Sequence, residues 1–180
     1  MRAMRLHKRE ILDDEGLRAV LDACQVLHLG LTDSEGVFVV PVNYGYEWFG
    51  RGRAEGGSPE AAGAPIASLY VHSAHEGRKA EALLAGGGQG APVAVELERD
   101  RGNITGGFAC AYSRSYESVM GSGRAREVTG CGDKARALGL IMAHAAPGAP
   151  AAFAPEALAR VAVFRIDVTA LTGKRRGPKA

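Results

Sequence analysis

The stretch QVLHLGLTDSEGVFVVPVNYGY, residues 25–46, decides the fold. Leu27, Leu29 and Leu31 alternate with smaller or polar residues, the period of a strand with one buried face. Asp33-Ser34-Glu35-Gly36 supplies turn chemistry, and Val37 to Tyr46 continues as the return strand of a hairpin. Pro41 cannot donate to a ladder, so it marks an edge, a bulge or an interruption of pairing. An antiparallel sheet is therefore expected from the first third of the chain.

Working outward, Leu17, Val20, Leu21 and Cys24 fall on one helical stripe over Asp14–Cys24, with Asp13 or Asp14 as N-cap. Residues 50–66, rich in Gly, Ala, Pro and Arg, read as an exposed, mobile insertion loop, after which strand pattern resumes at Ala67–His72. A helix is expected from about Ala74 to Ala85, and a strand over Pro92–Arg99 with Val93, Val95 and Leu97 inward. Asp100–Gly107 reads as loop, and Tyr112–Thr129 as extended chain broken by Gly121 and Gly123. A third helix spans Asp133–Ala146 with Leu138, Ile141, Met142 and Ala145 on one side. Arg160–Val168 is a last strand, followed by the basic tail from Thr172 to Arg176 and on to residue 180. About six hairpin-linked strands with three helices predict an α+β, mainly β, antiparallel barrel with peripheral helices, in place of a doubly wound parallel sheet.

Composition narrows the class. The 180 residues suit one domain, 1–180, and 46% apolar content excludes a disordered chain. Twenty-two Lys+Arg against 20 Asp+Glu leave a charge of +2, which argues against a nucleic-acid binder. Cys24, Cys110 and Cys131 are odd in number and widely spaced, fitting neither a disulfide scaffold nor structural zinc. With no long apolar run and no signal-peptide core behind MRAMRLHKRE, a soluble cytoplasmic domain without membrane contact is expected. The absence of GxGxxG and GxxxxGK[ST] removes the carriers of Rossmann and P-loop sites.

Chemistry is expected in three places. Ser73-x-x-Glu76 has capping-box spacing and predicts a helix start; Arg78 and Lys79 just inside it read either as an anion site or as a solvated basic face. Val40-Pro41-Val42-Asn43 is extended chain with interrupted pairing whose backbone suits the edge of a flat heterocycle, Tyr44 and Tyr46 being either surface around it or structural. Tyr116-Glu117-Ser118-Val119 lies among small and hydroxyl residues that permit close approach of a ligand or a second subunit, or form a polar bulged edge. Lys174 and Arg175 either add cations to a phosphate or form a solvated tail. His72 and His75 form HxxH without a third ligand, so no metal site is expected.

In order, LGLTDSEGVFVVPVNYGYE, LYVHSAHEGRKAEAL, AVELE, YSRSYESVMGSGRAREV and RIDVTALTGKR resemble the pyridoxamine 5′-phosphate oxidase-like FMN-binding superfamily, nearest its nitroimidazole-resistance (Nim-type) branch. The resemblance runs from about Leu6 to Arg175. It implies a split β-barrel homodimer with FMN between subunits. In that picture Val40, Pro41, Val42 and Asn43 lie along the flavin ring, His72 and Ser73 flank the ribityl-phosphate, and Arg78 with Lys79 holds the phosphate. The other subunit would supply Tyr116, Glu117, Ser118 and Val119, with Lys174 and Arg175 closing the site. The implied activity is an oxidoreductase passing electrons from NAD(P)H through flavin to a small organic acceptor, with His72 as the imidazole placed for proton transfer or substrate contact. Relatives of this fold also use FAD, deazaflavin (F420) or haem, and a non-enzymatic flavin-binding module is a further alternative. The chain lacks the substrate-binding signature of a true pyridoxamine phosphate oxidase, which argues against that activity.

Overall fold

The hairpin of residues 25–46 forms, but its return arm is cut in two. In the computed structural model, which describes residues 4–51 and 63–177, β2 (Leu27–Asp33) pairs with β3 (Gly36–Val42). The chain then leaves the ladder at Asn43 and Tyr44 and starts β4 (Gly45–Trp48), which pairs with β5 (Ala67–Ser73) instead. The remaining elements are β1 (Glu10–Ile11), α1 (Asp14–Ala23), α2 (Arg78–Leu84), β6 (Ala91–Ile104), β7 (Ser113–Glu127), α3 (Cys131–Ala145), α4 (Pro155–Ala159) and β8 (Ala162–Arg176). Every pairing is antiparallel, in the order β3-β2-β6-β7-β8-β5-β4, with β1 on β8.

That order closes a barrel without hydrogen bonds at the seam. β3 and β4 are the two ends of the sheet, yet two residues join them. Three Cα steps of about 3.8 Å bring Val42 and Gly45 within about 11 Å of each other, so the sheet must curl until its ends meet. The result is a split β-barrel with its split at Asn43–Tyr44. Pro41 sits on the end strand β3, opposite His28, where its missing N–H leaves the sheet intact.

The barrel is filled as the alternation predicts. Leu27, Leu29 and Leu31 meet Val93, Val95 and Leu97 of β6, with Val119, Ala125, Phe164, Ile166 and Val168 from β7 and β8. At roughly 1.5–3 kcal/mol per large apolar side chain removed from water, this cluster is the main favourable term. The α1 stripe Leu17, Val20, Leu21 and Cys24 plugs one end, started by Asp13 accepting the Gly16 N–H at 2.6 Å. Burial pushes the Cys24 thiol up to about 11, while Cys110 and Cys131 are exposed and unpaired. No helix among the described residues is long and apolar enough to cross a membrane.

Several expectations are corrected. The ladder of β6 does not stop at Arg99: it resumes beyond an irregularity at Asp100/Asn103, where Arg114 holds both Asp100 and Asn103. Gly121 and Gly123 do not break β7. A Cβ on Gly123 would stand 2.1 Å from the Asp167 carbonyl oxygen, so glycine there admits the backbone of β8 at a bulge. The basic tail is strand as far as Arg176, because Thr172–Arg176 completes the ladder against Tyr116–Met120. The fourth helix, α4, opens with Pro155 and has too short a period to show in sequence. Residues 52–62, most of the expected insertion loop, and residues 178–180 lie outside the described residues.

The inward stripe of α3 also differs: Lys134, Ala137 and Ile141 are buried, Leu138 is half-buried and Ala145 is exposed. Two contacts rotate the helix. Its backbone at Leu140–Ile141 rests on Gly45, where a Cβ would come within 2.3 Å. Lys134, only 8% exposed, donates through Nζ to the carbonyls of Val161 (2.9 Å) and Leu158 (3.3 Å) at the end of α4. Lys134→Met keeps the volume but leaves those carbonyls without their donor, so a loss of about 1–3 kcal/mol in urea unfolding is expected. Gly45→Ala is expected to cost more, because backbone rather than a flexible side chain must yield; thermal unfolding of both variants against wild type checks the order.

Candidate functional site

The split is held by one tyrosine. Tyr44 is completely buried, its hydroxyl 2.6 Å from the Leu21 carbonyl and 3.1 Å from that of Cys24, at the C-terminal end of α1. Its ring lies 4.5 Å from that of His144, whose Nε2 is 2.8 Å from the same Cys24 carbonyl. Burial drives the Tyr44 phenol far above its usual range and, with the Asp22 carboxylate that receives its hydroxyl, pushes Tyr46 up to about 12. For Tyr44 the structural reading holds, since it is fully buried and anchors the split; Tyr46 is half-buried and lines a different surface pocket, with Arg18, Trp48 and His144.

With Tyr44 turned inward, Asn43 is turned out. Pro41, Val42 and Asn43 form one wall of a cleft of about 310 Å³; His72, Lys79 and Val26 form the rest. Among the described residues the Asn43 amide has no hydrogen-bond partner, and Asn43 falls between the ladders of β3 and β4. His72 occupies the end of β5 opposite Val163, and Lys79 donates through Nζ to the His72 carbonyl at 3.1 Å. Desolvation lowers the pKa of both side chains, and the Lys79 charge lowers that of His72 further. His72 is thereby a neutral imidazole at pH 7, able to accept or donate one proton. Five of the expected ligand-facing residues (Pro41, Val42, Asn43, His72 and Lys79) thus meet in one cleft.

Others stand elsewhere. Val40 packs against the barrel core opposite Leu29, and Ser73, being next to His72 on a strand, points to the buried face. The expected capping box does not form. Residues 74–77 are not helical, α2 starts at Arg78, and the cap is Gly77 at φ 97° with no side-chain bond. The reason is that the Ser73 backbone is still part of the β5 ladder opposite Ala162, its side chain turned to the buried face, and the chain does not become helical until Arg78. His75 leans instead on the Ala159 carbonyl at 3.1 Å.

Arg78 is engaged by groups that the sequence did not single out. Its Nε and Nη2 donate to Asp33 at 2.6 and 3.0 Å, Nη2 is 3.7 Å from Glu35, and the guanidinium lies 4.1 Å above the Phe38 ring. The Arg78 hydrogen bond holds Asp33 below the usual carboxylate range. The signal available was the acidic turn itself, whose charge needed a partner. Val26 carried no signal.

The segment 116–119 comes together with Lys174 and Arg175, but not with the cleft. Glu117 faces Arg175 and Ser118 faces Lys174 across the β7–β8 ladder; Glu117 also meets Arg101 at 3.2 Å, and Val119 is wholly buried. None of these residues lines the cleft, although β2, which follows Val26, pairs with β6 and β6 with β7, so that Met120 lies two strands from His28. A second, larger basin of about 500 Å³, lined by Tyr70, Arg126, Asp133, Arg136, Arg165 and Asp167, had no sequence signal. Its arginines are already committed, Arg136 to Glu47 and both Arg126 and Arg165 to Asp167. Among the described residues no group of three His, Cys, Asp or Glu side chains is placed to hold a metal.

The family model for pyridoxamine 5′-phosphate oxidase matches residues 13–175. Among solved structures, a candidate 5-nitroimidazole antibiotic resistance protein from Bacteroides thetaiotaomicron is 27% identical, with a TM-score of 0.70 over 92% of this chain and 85% of that one. The flavocytochrome Anf3 of Azotobacter vinelandii is 23% identical, with a TM-score of 0.73 over 98% and 74% of the two chains. An FAD- and haem-binding protein of Mycobacterium smegmatis shares the fold at 17% identity, with a TM-score of 0.73 over 96% and 76%. No curated protein matches the chain. With a matching model that spans both arms of the hairpin, the cleft at the split and the last strand, the chain belongs to the pyridoxamine 5′-phosphate oxidase family.

Proposed function

We propose that this chain is an FMN-dependent oxidoreductase that works as a homodimer and passes electrons from NAD(P)H to a small organic acceptor. The observation that carries the reading is the cleft at the barrel split, where a free amide, a neutral imidazole and a partly desolvated ammonium converge in a member of this family. The donor set fits a flavin mononucleotide: the Asn43 amide and the unpaired backbone beside it suit the edge of a heterocycle, while Lys79 and Arg78 suit a phosphate. The volume of about 310 Å³ lies at the lower end of ligand pockets, as expected where one protomer forms part of the wall.

When bound, the flavin supplies hydride and electron transfer. The protein's own groups bind, orient and hold protons. Lys79, with two N–H groups left beyond its bond to the His72 carbonyl, neutralises phosphate together with Arg78. Val42 and Asn43 orient the ring, Val40 and Pro41 stiffen the strand beneath it, and Ser73 fixes the β5 end that presents His72. His72, neutral at pH 7, takes up or gives a proton at its imidazole nitrogen beside the acceptor.

The homodimer rests on the family resemblance. Tyr116, Glu117, Ser118, Val119, Lys174 and Arg175, which the family resemblance assigns to the site from a second subunit, do not line the cleft of their own chain. A surface for that copy exists on the outer sheet. Gly30, Ala94, Ser122 and Ala170 form one cross-strand row of small residues that ends at Val39 (62% exposed), flanked by Val37 (80%) and Met120 (61%). FAD or haem in place of FMN is the second reading, favoured by the similar structures whose names include those groups.

Three outcomes are expected. The purified protein shows flavin absorbance, is bleached by NADH or NADPH, and releases a ligand with the mass of FMN; a colourless protein that takes up no added FMN, FAD or deazaflavin overturns the reading. Lys79→Ala lowers FMN affinity at least about tenfold through loss of a charge-assisted contact, as read by flavin fluorescence quenching. Ala94→Glu, at the middle of the small-residue row, converts a species of twice the monomer mass in light scattering into monomer and releases flavin; a dimer that survives it places the interface elsewhere.

A further inference from the structure

We propose, on the reading that FMN occupies the cleft, that Asp33 is a positioning residue for phosphate recognition: it holds Arg78 in the one orientation that leaves an edge of the guanidinium for the ligand. Three contacts define the arrangement. Asp33 takes Arg78 side-on, through Nε at 2.6 Å and Nη2 at 3.0 Å. Phe38, from the strand that carries Pro41 and Val42 into the cleft, lies beneath the guanidinium at 4.1 Å. Glu35 stands off at 3.7 Å from Nη2. Nη1 and its two N–H groups have no partner among the described residues.

The Asp33 carboxylate is itself oriented by its own turn. Its Oδ1 accepts the Glu35 backbone N–H at 2.9 Å, which locks the acid across the hairpin tip before it meets Arg78. An arginine on a seven-residue helix would otherwise sweep many rotamers, and much of the gain from a phosphate contact would go into ordering it. Clamped side-on and stacked on one face, the guanidinium has that ordering in place before the ligand arrives. A carboxylate so close to a phosphate site also carries a repulsive charge. Because the carboxylate binds the Nε/Nη2 edge and the ligand is left the Nη1 end, the two anions stand on separate edges, and the short-range charge-assisted contact outweighs a repulsion that solvent screens at this exposed corner. Lys79 supplies the second cation, from the next residue but on the cleft side.

The same geometry separates this role from a merely structural one. If Asp33 only stabilised the hairpin, its removal would weaken FMN and riboflavin alike. As a positioning residue it acts on the phosphate alone. The test is fluorescence-quenching titration of FMN and of riboflavin, which lacks the phosphate, into wild type, Asp33→Asn, Glu35→Gln and Phe38→Leu, each checked for folding by circular dichroism. Wild type is expected to prefer FMN. Asp33→Asn is expected to cut that preference about tenfold, with riboflavin affinity unchanged, because the neutral amide gives up a charge-assisted pair. Glu35→Gln at 3.7 Å is expected to change it by less than about twofold.

Phe38→Leu keeps the carboxylate and removes the stacking surface, so it reads the same clamp if Asp33→Asn folds poorly; a reduced FMN preference is expected there too. An unchanged or increased FMN preference in Asp33→Asn, or equal losses for both flavins, overturns the positioning role while leaving the flavin site in place. A wild type that binds FMN no better than riboflavin, or binds neither, overturns the phosphate assignment of Arg78 and Lys79 and the role of Asp33 with it.

Discussion

The two-residue link between Val42 and Gly45 is the constraint on which the rest of the structure depends. It ties together strands that stand at opposite ends of the hydrogen-bonded order, so the sheet has to curl, and it has to curl without a final ladder. Backbone groups at the seam must find other partners or face solvent. The protein answers with Tyr44, which turns inward, seals the seam with a fully buried ring and satisfies the end of α1 with its hydroxyl. Asn43, its neighbour, is left facing out. The opening that a complete barrel would not have is the opening in which the cleft lies.

Charge in the cleft is arranged by the elements that meet there and not by helix ends. Lys79 and His72 are coupled through a main-chain carbonyl, and desolvation lowers both. Arg78, one residue away in sequence, belongs to a different environment, the acidic tip of the β2–β3 hairpin. Adjacent basic residues therefore have unequal roles: one ammonium borders the cleft wall, and one guanidinium is held in place by a carboxylate and an aromatic face.

Much of the barrel was legible in the sequence because its signals are local. Leu27-x-Leu29-x-Leu31 and Val93-x-Val95-x-Leu97 alternate over runs long enough to define a buried face, and they are buried. The stripe of α1 and its Asp13 cap were equally plain. What misled was context. Ser73 has the right spacing to cap a helix, but its backbone stays in the ladder with β8 and the helix starts only at Arg78. Gly121 and Gly123 look like breaks and are places where another backbone comes too close for a Cβ. Lys134 on an amphipathic helix should face water, and is drawn inward by two carbonyls contributed by residues more than twenty positions away.

By itself, then, the amino-acid sequence determined the antiparallel character of the sheet and the faces its strands bury, and marked the segments 40–43, 72–79, 116–119 and 174–175 as candidates for a site. Periodicity and turn chemistry act over a few residues, and a linear pattern records them in full. The tertiary structure alone decided which of those segments meet. It joined Pro41, Val42 and Asn43 to His72 and Lys79, set 116–119 beside 174–175 on the β7–β8 ladder, and gave Arg78 to Asp33. The physical reason is that convergence at the split depends on strand order and on closure of a curled sheet, both of which arise from pairings between residues distant in the chain.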